Sequence, residues 1–135
     1  MRLTQNMRST LAEKICREWI CRRHVKLKTP DVFVVWRDPK KRSTVSGWCW
    51  SHRRQIILHI PKGSDYREWI ILLAHEFAHY LDYWTSAPRW RKENMPHGER
   101  FQRLMWGTLS RNQWERAASG HWIKFRSAHR PEFQP

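Results

Sequence analysis

The sequence is poor in cysteine, glycine and acid: 3 Cys, 5 Gly and 12 Asp plus Glu among 135 residues. Cys16, Cys21 and Cys49 are odd in number and form no C-x-x-C pair. That excludes a disulfide framework and a zinc ribbon, and points to a reducing compartment with the thiols packed as small apolar groups. No apolar run reaches the roughly 18 residues of a spanning helix, so no membrane partner is expected. The opening Met1-Arg2-Leu3-Thr4-Gln5-Asn6 lacks the apolar stretch of a secretory signal, and the expected location is the cytoplasm, in association with the nucleoid. Internal repeats and low-complexity blocks are missing too, which excludes solenoids and long linkers. What remains is a single domain over 1–135, with a core of about 8–119 and a basic tail over 120–135; it is expected to be a monomer. A chain of this length buries about two-thirds of its unfolded surface.

The shortage of acids leaves 26 Lys plus Arg and a net charge of +14. A domain this basic draws polyanions, nucleic acid foremost. Ten tryptophans accompany the charge, and Trp48, Trp50, Trp90 and Trp122 stand beside Arg, Lys or His. Aromatic faces next to cations are how sequence-tolerant binders hold the bases of a single strand. Arg53 and Arg54, between two extended runs, and Arg89, Trp90, Arg91 and Lys92, in a proline-bounded loop, are the candidate contacts. Tryptophan in a small domain is more often packing than platform, so the expectation rests on charge rather than on any reader motif.

Along the chain, Leu3, Met7, Leu11, Ile15 and Trp19 recur every four residues and predict an amphipathic helix, with Arg22 and Arg23 suited to its C-terminus. Asp31 to Trp36 is β-branched and aromatic, hence a strand. Ser43–Trp50 and Gln55–Ile60 predict a hairpin, with a bulge at Gly47. Asp65 and Glu68 resemble a capping box before the next helix, which ends near Trp84. From Glu99 a further helix follows, with Phe101, Leu104, Met105, Thr108 and Leu109 on its apolar face and Gly120 breaking the pattern. The class is therefore α+β.

The most informative stretch is Ile70 to Leu81, apolar almost all round but for His75, Glu76 and His79. His75 and His79 stand four residues apart and project from the same helical face. In this H-E-x-x-H spacing two imidazoles bind Zn²⁺ and the carboxylate between them serves as general base. A surface helix could carry these residues at no cost. Inside so apolar a segment they need partners, because an unpaired buried polar group costs about 1–3 kcal/mol, and a metal satisfies all three together. One catalytic Zn²⁺ takes three protein ligands and an open position. His97, at the start of the following helix, is the leading third ligand; Glu99 and Glu115 are the alternatives. Asp82 is placed to orient an imidazole, or else to cap or solvate its helix.

The succession of helix, strand, hairpin, His75-Glu76-x-x-His79 and His97-Gly98-x-x-Phe101 resembles the SprT-like metalloprotease domain of Spartan-type proteases. The resemblance implies a minimal zincin-like fold: an N-terminal helix, a three-stranded antiparallel-type sheet with a hairpin, the H-E-x-x-H helix and a C-terminal helix. It implies zinc on His75, His79 and His97, Glu76 as base, and Phe101 packed beneath the third ligand. It further implies cleavage of proteins bound or crosslinked to DNA, with single-stranded or junction-containing DNA as platform. The zinc ribbon of bacterial SprT proteins has no counterpart in this sequence, so recruitment is expected to rest on the basic surface. By analogy, a stand-alone phage-encoded enzyme, working in its host's cytoplasm, or an archaeal one is expected. Two other functions share the motif: a nucleic-acid-binding protein with a closed structural zinc, and an ImmA/IrrE-like regulatory peptidase that takes a later glutamate as ligand and cleaves a repressor.

Overall fold

The computed structural model describes residues 5–23, 25–37, 46–61, 66–92 and 98–109. Its elements are α1 (Gln5–Arg22), β1 (Asp31–Arg37), β2 (Ser46–Trp50), β3 (Gln55–Pro61), α2 (Tyr66–Thr85) and α3 (Glu99–Thr108). The expected α+β class holds. The basic tail, Trp122 and the Asp65 half of the capping box lie outside the described residues.

β3 runs through the middle of the sheet, in the order β1-β3-β2. Its Ile56, Leu58 and Ile60 are fully buried, and the central place pairs its backbone on both sides, which burial demands. β2 and β3 form the expected antiparallel hairpin, but β1 pairs with β3 in parallel. The sheet is mixed rather than antiparallel throughout. Side-chain alternation is identical in parallel and antiparallel strands, so the pattern that revealed β1 carries no information about its direction. The expected bulge at Gly47 is absent as well: the β2–β3 register runs unbroken from Ser46 opposite His59 to Trp50 opposite Gln55.

The hairpin turns through a short 3-10 segment, Ser51–Arg53, and then Arg54 at φ 55°. A non-glycine residue in the left-handed region costs on the order of 1–2 kcal/mol. Tertiary contacts hold it there. The Arg54 guanidinium lies 4.0 Å from the centre of the Trp84 ring and donates a hydrogen bond of 2.8 Å to Tyr80 Oη. Tyr80 in turn donates to the Lys28 carbonyl. Burial holds the Tyr80 phenol above its ordinary range, with Arg54 opposing the rise, so it remains a neutral donor.

α1 and α2 stack on the face that carries Val32, Val34, Cys49, Ile56, Leu58 and Ile60, and α3 packs on α2. α1 contributes Ala12, Ile15, Cys16, Trp19 and Ile20. Its C-terminal arginines reach across to α3 rather than serving their own helix. Arg22 donates to the Thr108 carbonyl at 2.8 Å, and Arg23 to the Leu104 carbonyl at 3.0 Å. Cations thus meet the negative end of a neighbouring helix. Burial, aided by Glu13 and Cys49, pushes the Cys16 thiol up, and Cys49 is buried against Ser51, as expected of thiols used for packing; Cys21, against that expectation, is exposed. No described helix is long and apolar enough to cross a membrane.

Candidate metal centre

α2 is buried along most of its circumference. Leu72, His75, His79 and Tyr83, spaced three or four apart, form its open stripe. The two imidazoles therefore sit together at the surface of a deeply packed helix. Their ring centres are 5.1 Å apart at 76°. Phe101 of α3 packs against both, at 4.9 Å from His75 and 4.4 Å from His79, and is itself buried. One aromatic ring thus limits the rotation of both imidazoles.

Glu76 is turned a quarter of the helix away from that stripe and is only 5% exposed. Its Oε1 lies 4.0 Å from His75 Nε2. On its other side stands Gly47 of β2, where a Cβ would come within 3.1 Å of Glu76 Cγ. The carboxylate occupies the gap that the missing side chain leaves. A glycine inside a strand often marks such a close approach; which group approached Gly47 was not readable from sequence. The turn after β2 is tied to the same helix, through Ser51 Oγ to the His79 carbonyl at 3.5 Å and Trp84 Nε1 to the Ser51 carbonyl at 2.7 Å.

Paired, partly open imidazoles at i and i+4 suit a zinc ion, and they supply two donors of the three a catalytic site needs. Among the described residues no group of three or more His, Cys, Asp or Glu could hold a metal. Glu99, exposed at the first position of α3, does not complete one. His97 and Glu115 lie outside the described residues.

No described imidazole is oriented by Asp82. Its Oδ1 is paired with Arg100 Nε at 2.8 Å, and Arg100 Nη2 also donates to Thr85 Oγ1 at 2.8 Å. This clamp ties the start of α3, immediately after His97-Gly98, to the end of α2. Asp82 is buried while the Arg100 side chain is about half exposed. Removing the cation strands a buried acceptor. Arg100→Ala is therefore expected to cost about 1–3 kcal/mol in urea unfolding and to release zinc to a competing chelator more readily than the wild type. Equal chelator titrations would show that the clamp does not steady the metal centre.

Of the candidate nucleic-acid contacts, Arg54 and Arg91 are engaged within the fold. Both lie over Trp84, Arg91 at 4.8 Å, and Arg91 Nε donates to the carbonyls of Tyr83 and Ser86 at the end of α2. Arg53, Arg89, Trp90 and Lys92 are exposed, with Arg53 over Trp50 at 5.6 Å and Arg89 over Trp90 at 5.4 Å.

Neither curated proteins nor solved structures include a significant match to this chain. A family match does exist, and it spans the motif helix, the edge strand beside Glu76 and the helix that brings Phe101 beneath the imidazoles: over residues 5–117, the chain belongs to the SprT-like family.

Proposed function

We propose that this chain is a zinc-dependent endopeptidase acting on proteins bound or crosslinked to DNA. Membership of a family of zinc metallopeptidase-type proteins supports the general class. The observation that carries the finer reading is the placing of His75 and His79 side by side on the open stripe of α2, with Glu76 wedged between that helix and an edge strand.

In this reading His75, His79 and His97 hold the ion. A bound Zn²⁺ supplies a Lewis acid and brings the pKa of a water toward about 7. Glu76 accepts the proton of the attacking water and returns it to the leaving amine. Its burial against Gly47 keeps the carboxylate pointed and limits competing solvent. Among the described strands β2 lies at the edge, so its outer backbone groups can pair with an extended substrate chain, which would lie alongside Glu76. The net charge of +14, with Arg53, Arg89, Trp90 and Lys92 exposed, favours DNA as the surface on which substrate is met.

The reading is tested by incubating the zinc-loaded chain with a basic DNA-binding protein, with and without single- and double-stranded DNA. Cleavage that requires DNA and stops with a chelator is expected. Stoichiometric zinc without cleavage in any arm would assign a closed, structural ion instead.

A further inference from the structure

α1 and α2 cover one face of the sheet, while the other carries large apolar side chains in the open. Alternation along the strands puts Phe33 and Val35 of β1, Ile57 and His59 of β3, and Trp48 and Trp50 of β2 on this outer face. Phe33 is 48% exposed, Trp48 46% and Trp50 40%. Phe33, Ile57 and Trp48 form one row across all three strands, and Trp50 begins the next, beside Gln55 and Asp31. The His59 ring meets Trp48 edge-on, with centres 4.7 Å apart. Arg53 lies over Trp50, 5.6 Å from the centre of its ring. Asp31 is the one acid among the described strand residues of this face.

Monomeric proteins rarely leave such a contiguous apolar surface without a use for it. Charge decides between occupants. A second copy would bring another +14 against the first, whereas a polyanion is attracted by the same field. A single strand also offers what a protein of opposite charge need not: flat, unpaired rings at regular intervals, which stack on aromatic side chains displayed by a sheet.

We propose that the outer face of the sheet is a stacking platform for single-stranded nucleic acid, with Phe33, Trp48 and Trp50 beneath the bases and Arg53 at the phosphates. This rests on the nucleic-acid part of the reading above and names its surface. Trp48 and Gly47 are successive residues facing opposite sides of β2, so a strand stacked on Trp48 lies one residue from the strand position that touches Glu76. Bases on the outer face and a peptide along the outer edge of β2 would meet at that strand.

The test is fluorescence anisotropy with end-labelled oligothymidylate and oligouridylate and the full chain. Phe33→Ala and Trp48→Ala should each weaken binding about tenfold, and together on the order of a hundredfold, with an unchanged salt slope because neither neutralises a phosphate. Trp48→Phe, which keeps a ring, should restore most of the affinity. A loss seen with only one of the two oligomers assigns the platform to DNA or to RNA. A double variant that binds within twofold of wild type overturns the platform while leaving nucleic-acid binding intact. Failure of the wild type to bind either oligomer at low salt removes the nucleic-acid reading itself. A wild-type dimer that Trp48→Ala converts to monomer in sedimentation would assign the face to a second copy and overturn the proposal.

Discussion

Glu76→Gln is expected to keep one zinc per chain and to slow cleavage of a DNA-bound protein by about 10²–10⁴-fold, the usual contribution of a positioned general base. The substitution is nearly isosteric. The amide fits the same slot between His75 and Gly47, so packing and the imidazole pair are left in place. What is lost is the ability to accept a proton. Metal analysis and initial rates on the same preparation separate the two effects. A rate within tenfold of wild type would remove Glu76 as base, and loss of zinc would mean that the carboxylate is a ligand.

Gly47→Ala should be nearly as damaging to turnover, although residue 47 has no chemistry of its own. The added Cβ would stand 3.0 Å from the Ile57 carbonyl oxygen, 3.1 Å from Glu76 Cγ and 3.3 Å from Leu58 Cδ2. The first contact is backbone and the third is core, so the carboxylate stem is the neighbour with most room to yield. Displacing a reacting group by about 1 Å costs roughly 10²-fold. We expect kcat to fall on that order and KM to change far less. Overpacking should take about 1–3 kcal/mol from stability. Zinc content should not change, because His75 and His79 lie on the open stripe, away from β2. A purely architectural glycine would lower the melting temperature and leave kcat intact; that result would end the assignment of Gly47 as a positioning residue.

Much of this molecule is legible without coordinates. The stripe Ala12, Ile15, Cys16, Trp19, Ile20 buries as periodicity requires, the three strands lie where β-branched and aromatic runs occur, and α2 is a packed helix with His75, Glu76 and His79 set in its apolar middle. The imidazoles' common side follows from four-residue spacing alone; Phe101, expected beneath His97, lies against His75 and His79, and His97 itself is outside the described residues. Each of these depends on residues close in sequence, or on a motif whose parts come as a set.

Other features depend on elements meeting in space. Asp82 is three residues from His79 in sequence, yet its partner is Arg100 of another helix. Arg54 and Arg91 look alike as surface cations beside aromatics, but one Trp84 ring draws both into the fold. The direction of β1, the room Gly47 leaves for Glu76, and the row formed by Phe33, Ile57 and Trp48 are likewise products of register. The elements, the charge and the donor pair follow from the order of residues, because dihedral preference and apolar period act over a few residues. Which carboxylate is wedged, which cation is spent internally and which aromatics stand together emerge on folding, because those outcomes depend on close approaches between residues far apart along the chain.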